Sequence, residues 1–134
     1  MTAEPTPPSG TAPPRAGAAA EPFQARAESE LRRGVLQVAV LALLRRRTYG
    51  YDLLRVLAER GLPAEEGTLY PILRRLEAEG LLASSWDTTG SRPRKYYEST
   101  DEGREALRAL LASWERVDGA LRSLCRESDV RRDA

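Results

Sequence analysis

Leu69, Ile72, Leu73 and Leu76 recur at i, i+3, i+4 and i+7, which lays one apolar stripe along a helix from about Glu66 to Glu79. A helix that is apolar on one side only has to be covered there, so the chain must fold as helices packed around a shared core. Gly80 supplies the turn that ends this helix. Pro71 has no amide donor and is harmless only in a first turn, so regular helix is expected from near Thr68. At roughly 100° per residue, the side away from the stripe holds Pro71, Arg74, Arg75 and Ala78, flanked by Thr68 and Tyr70. Glu77 and Glu79 fall beside the stripe. The outward face is basic at its centre.

The neighbouring segments complete an ordered series. A helix from about Tyr51 to Arg60 presents Leu53, Leu54 and Leu57 and stops at Gly61, with Pro63 behind it. Ahead of it, about Glu28 to Arg47 carries two stripes: Leu31, Val35, Val38 and Ala42 on one side, Leu36, Val40, Leu43 and Leu44 on another. Apolar residues on two sides predict burial on two sides. One stripe serves the core of the domain; the other, with Leu36 and Val40, is expected to meet a partner.

After Gly80, Leu81 to Asp87 reads as a strand, Thr88 to Pro93 as a turn, and Arg94 to Glu98 as the returning strand. Tip and return contain Arg92, Arg94, Lys95, Tyr96 and Tyr97 before the first acid, Glu98, and Trp86 is expected to pack beneath the hairpin. Ser99 or Thr100 opens a last helix, and Ser99 with Glu102 fits a capping box. Along that helix Leu107, Leu110, Trp114, Val117, Leu121 and Leu124 advance by steps of three and four, the seam of a helix that pairs with another. Trp114 in mid-seam has two readings, interface packing or one wall of a ligand pocket between protomers.

Residues 1–27 hold six of the nine prolines amid Ala, Thr, Ser and Gly, a composition that predicts a disordered tail. The expected organisation is therefore a tail to 27, a winged helix-turn-helix over 28–99, a dimerisation helix over 100–125, and frayed residues 126–134. The fold class is mainly α with a small β-hairpin.

Composition narrows the chemistry. The chain has no histidine, which removes the usual general base near neutral pH and any Ser-His or Cys-His pair. With one cysteine, Cys125, the common zinc sites and an internal disulfide are also excluded. No catalytic, metal or cofactor site is expected. No apolar run is long enough to span a bilayer and no secretory signal is legible, which predicts a cytoplasmic, nucleoid-associated protein. Net charge is only +1, so a footprint for nucleic acid has to be local.

Three helices followed by a hairpin is the order of a winged helix-turn-helix, in which a basic helix fits the major groove and a basic hairpin reaches the neighbouring backbone. The candidate DNA contacts are Thr68, Tyr70, Pro71, Arg74 and Arg75 on the helix, and Arg92, Arg94 and Lys95 on the wing. The candidate dimer contacts are Leu36, Val40, Leu107, Leu110, Trp114, Val117, Leu121 and Leu124. The competing reading is a winged-helix module that binds a protein and no DNA.

Four motifs, Tyr49-Gly50-Tyr51-Asp52-Leu53, the run from Glu66 to Glu77, Arg94-Lys95-Tyr96-Tyr97 and Thr100-Asp101-Glu102-Gly103, stand in an order and spacing that resembles the PadR family of bacterial transcriptional regulators. The likeness runs from about residue 31 to about residue 124. It implies a homodimeric repressor with a C-terminal dimerisation helix, binding a palindromic operator through the recognition helix, here Thr68 to Glu79, and the wing, here Arg92 to Tyr96. It also implies release by a small aromatic or cationic, drug-like effector. Ser99 stands where the family usually has an apolar residue, which predicts looser packing of the returning strand.

Overall fold

The structure is a computed structural model that describes residues 16–127. Its elements are α1 (Ala16–Leu43), β1 (Thr48–Tyr49), α2 (Gly50–Glu59), α3 (Glu66–Ala78), β2 (Leu82–Asp87), β3 (Arg94–Ser99) and α4 (Asp101–Glu127). The chain divides between Arg33 and Gly34 into two units. In the N-terminal unit the described residues are helical, so residues 16–27 correct the expected tail; the rest of that tail lies outside the described residues. Composition misleads here because the Ala-, Glu-, Gln- and Arg-rich run around Pro22 is built of good helix formers. Glu28 and Arg32, one turn apart, pair at 3.0 Å on its surface.

The second unit has one core, to which α1 gives Leu36, Val40, Leu41 and Leu44, α2 Leu53 and Leu57, α3 Leu69, Ile72, Leu73 and Leu76, the sheet Leu82 and Tyr97, and α4 Leu107. The stripe of α1 expected to face a partner is therefore the buried one. Leu36 (3% exposed), Val40 (0%) and Leu107 (7%) are covered by their own chain, which corrects their assignment to a dimer surface. Val35, Val38 and Ala42, on the other stripe, are only half-buried. Sequence shows that α1 has two apolar sides; which side meets α2 and α3 depends on its rotation.

α3 begins at Glu66 rather than near Thr68, since the amides of Thr68 and Leu69 already bond the Glu65 carbonyl at 3.0 and 2.9 Å. Pro71 is accommodated inside the helix because its ring faces solvent, as does Gly67, whose carbonyl would otherwise need its amide. Gly61 and Gly80 end α2 and α3 with φ of 88° and 80°.

The sheet has three strands in the order β1-β3-β2, all antiparallel. The hairpin β2–β3 pairs Leu82 with Ser99 through to Asp87 with Arg94. The addition is β1, where Thr48 and Tyr49 pair with Tyr97 and Tyr96.

Ser99 corrects the expectation of a loosened strand. It is buried, its amide donates to the Leu44 carbonyl at 2.7 Å and its hydroxyl to the Leu41 carbonyl at 3.1 Å. An apolar residue could satisfy only the first of these last-turn carbonyls of α1. The cap of α4 is Thr100, not a Ser99–Glu102 box. Its Oγ1 accepts from the Gly103 amide at 3.0 Å and donates to the Gly80 carbonyl at 2.7 Å. Gly103 then lies so close to Leu81 that an added Cβ would overlap its carbonyl oxygen.

Beyond Leu107 the seam of α4 emerges from the domain: Leu110, Trp114, Val117, Leu121 and Leu124 are 38–60% exposed.

Candidate nucleic-acid interface

α3 turns Thr68, Pro71, Arg74, Arg75 and Ala78 to solvent, directly opposite its buried leucines. Arg74 forms no ion pair among the described residues. Arg75 reaches Glu79 at 3.3 Å, but its side chain stays 77% exposed. An ion pair this exposed contributes little and exchanges readily for a phosphate. Tyr70 behaves differently. It is half-buried against the core, and burial, followed by the Glu66 carboxylate and neighbouring tyrosines, raises its hydroxyl pKa. It is first a packing residue at the edge of the basic face.

The wing separates its cations onto two sides. Alternation along the strands puts Ser84, Trp86, Lys95 and Tyr97 toward α3, and Ser85, Arg94 and Tyr96 away from it. On the α3 side, Ser84 donates to the Glu77 carboxylate. Lys95 lies 4.0 Å from the same carboxylate and over the rings of Tyr97 and Trp86, at 5.2 and 5.8 Å. Half-buried and charge-matched, Lys95 anchors the wing on α3; this corrects its place among the exposed cations of the hairpin. Trp86 is corrected in the opposite sense: expected beneath the wing, it is 61% exposed.

On the other side a tyrosine cluster orders the arginines. Tyr49 meets Tyr51 edge-on at 5.5 Å and Tyr96 at 5.6 Å. The Arg94 guanidinium lies 5.2 Å from the Tyr49 ring, and that of Arg47 lies 4.0 Å from Tyr96. Stacking holds these cations in place, with the Asp87 carboxylate near enough to interact with both. At the tip, Asp87 accepts from the Thr89 hydroxyl and amide at 2.6 and 3.0 Å, and these bonds hold its carboxyl below the usual carboxylate range. The turn fixed in this way borders a hollow lined by Tyr49, Asp87, Arg92 and Arg94. Arg47, Tyr49 and Tyr51 were not among the candidates read from sequence. Their signal was the Tyr-Gly-Tyr motif following three consecutive arginines.

Trp114, 47% exposed, lines an apolar groove of about 240 Å³ with Val35, Val38, Ala39, Leu62 and Leu111. Among the described residues, no cluster of acids and cysteine fits a metal ion, and no helix is long and apolar enough to cross a membrane.

Residues 40–109, which span every one of these strands and the basic helix, match the family described as transcriptional regulator PadR-like. The chain belongs to the PadR-like family. A solved PadR family regulator from Eggerthella lenta superposes with a TM-score of 0.75 at 48% identity, covering 80% of this chain and 96% of the other. A PadR-like transcription factor from Bacteroides fragilis gives 0.62 at 36% identity, covering 74% and 98%. Among curated proteins, transcriptional regulator Rv3488 of Mycobacterium tuberculosis is 44% identical over 59 residues, which are 44% of this chain and 55% of that relative. This PadR-like chain thus shares the winged-helix fold of a family of transcriptional regulators, not of enzymes.

Proposed function

We propose that the chain is a DNA-binding repressor that acts as a homodimer on a palindromic operator. The observation that carries this reading is the exposed face of α3, where Thr68, Pro71, Arg74 and Arg75 stand clear of the protein with no carboxylate at the centre. Arg74 and Arg75 suit guanine edges and phosphates, and Thr68 suits a phosphate near the helix N-terminus. Arg92 and Arg94, with Arg47, reach the backbone beside the groove. Tyr70 and Lys95 support this surface from beneath.

The dimer is made by the exposed seam of α4 from Leu110 to Leu124. Two-fold pairing there sets the recognition helices about 34–36 Å apart, one turn of DNA. An aromatic or drug-like effector stacks on Trp114 and releases the operator by favouring another pose of the two helices. The protein works in the bacterial cytoplasm, at the nucleoid.

Selection of bound sequences from a random duplex pool tests this reading. The expected result is an inverted repeat with half-sites one turn apart. Affinity for it should fall with salt, log against log, by about 0.9 per phosphate neutralised. Arg74→Ala should weaken binding by about 1–3 kcal/mol. An unenriched pool, with Arg74→Ala indistinguishable from the parent, favours a module that binds protein instead.

A further inference from the structure

A second concentration of arginine lies where α1, α2 and α4 meet. Arg45 and Arg46 follow the end of α1, Arg60 caps α2, and Arg104 and Arg108 stand on one side of α4. They line a cleft of about 930 Å³ whose apolar wall is Ala42, Leu43, Leu107 and Leu111, with no Asp or Glu in the lining. The chain as a whole is nearly neutral. Elsewhere on the surface some cations are paired, as Arg55 is with Glu59 and Arg122 with Asp118. Among the described residues, Arg108 is the one cation of the cleft with an ion pair, to Glu105 at 2.7 Å. Arg104 and Arg45 donate to the carbonyls of Arg45 and Ala42 at 3.3 and 3.2 Å, bonds that position a guanidinium without offsetting its charge.

Helix dipoles account for part of this pattern. A cation after the last turn of α1 or α2 meets the negative end of the helix. Arg104 does not fit that account, because it sits in the first turn of α4, at the positive end. Four unneutralised guanidinium groups repel one another unless an anion lies among them. One carboxylate would balance one of them; a phosphate or pyrophosphate group balances two or more and accepts bidentate bonds from each. The apolar wall has no use for inorganic phosphate alone.

We propose that this cleft binds a small phosphorylated molecule with an apolar body, its phosphate held by Arg45, Arg46, Arg60 and Arg104 and its body against Leu107 and Leu111. At about 930 Å³ the cleft has room for such a ligand. At about 100° per residue, the side of α4 bearing Arg104, Arg108 and Leu111 lies about 125° around the helix from Leu110, Val117 and Leu121.

The test titrates the full chain carrying Trp114→Ala, which removes the aromatic wall of the neighbouring groove that shares Leu111, with 1-naphthyl phosphate, 1-naphthol and inorganic pyrophosphate by calorimetry. The expected order is 1-naphthyl phosphate tightest, pyrophosphate weaker, and naphthol weakest. The doubly substituted Arg46→Gln, Arg60→Gln protein removes two charges that form no side-chain hydrogen bond or ion pair among the described residues. It should bind 1-naphthyl phosphate at least about tenfold more weakly, while Arg116→Gln with Arg122→Gln, elsewhere on α4, should not. Naphthol binding as tightly as its phosphate, equal weakening in both double variants, competition by duplex DNA, or no binding at millimolar ligand would each overturn the proposal. Operator selection does not enter these readouts, so the repressor reading and this one fail separately.

Discussion

Leu69, Ile72, Leu73 and Leu76 on α3, and Leu107, Leu110, Trp114, Val117, Leu121 and Leu124 on α4, follow the same helical spacing, yet they end in opposite surroundings. The α3 set is at most 8% exposed, whereas on α4 the burial stops after Leu107. The difference comes from their neighbours. α3 buries leucine or isoleucine in each of its turns from Leu69 to Leu76, while α4 buries only Gly103 and Leu107, in its first two turns. A regular stripe states that a helix will be covered. What covers it is decided by where the adjoining elements end.

The contrast can be broken at either helix. The largest effect should come from Leu73→Ala, which empties a fully buried site and costs about 3 kcal/mol. Urea unfolding followed by circular dichroism should give that loss at every protein concentration. Leu121→Asp should leave the helical signal intact and instead convert dimer to monomer in sedimentation, weakening operator binding by about 2 kcal/mol or more. A loss of secondary structure equal to that of Leu73→Ala would mean that the far part of α4 is covered by its own chain after all. The smallest effect tests the join between the two regions. Ser99→Ala deletes only the hydroxyl bond to Leu41 and should cost about 1 kcal/mol in thermal unfolding. No cost would show that the Ser99 amide alone holds the strand.

Local signals were the legible ones. Gly61 and Gly80 marked two helix ends, the steps of three and four marked α3 and α4, and the turn-rich run from Thr88 to Pro93 marked the hairpin. What depended on distant partners was not readable. β1 is two residues long and exists because Tyr96 and Tyr97, nearly fifty positions away, present an open strand edge. The rotation of α1, which reversed the roles of its stripes, is set by packing against α2 and α3. At the interface, Arg74 and Arg75 were placed by helical arithmetic alone. Lys95 and Trp86 were not, because a hairpin's alternation tells which residues share a side but not which side faces the helix. Arg47 is one of three consecutive arginines in the sequence, and it is the Tyr96 ring beneath it that sets it apart.

The bonds of Thr100 to Gly80 and to Gly103, with Gly103 pressed on Leu81, fasten the root of α4 to the very end of α3. With 27 residues, α4 is a lever about 40 Å long. A tilt of about 5° at its root swings the far end by about 3.5 Å, and a shift imposed at the far end turns α3 by the same small angle. Whatever grips the outer turns of α4 therefore holds a handle on the pitch of α3.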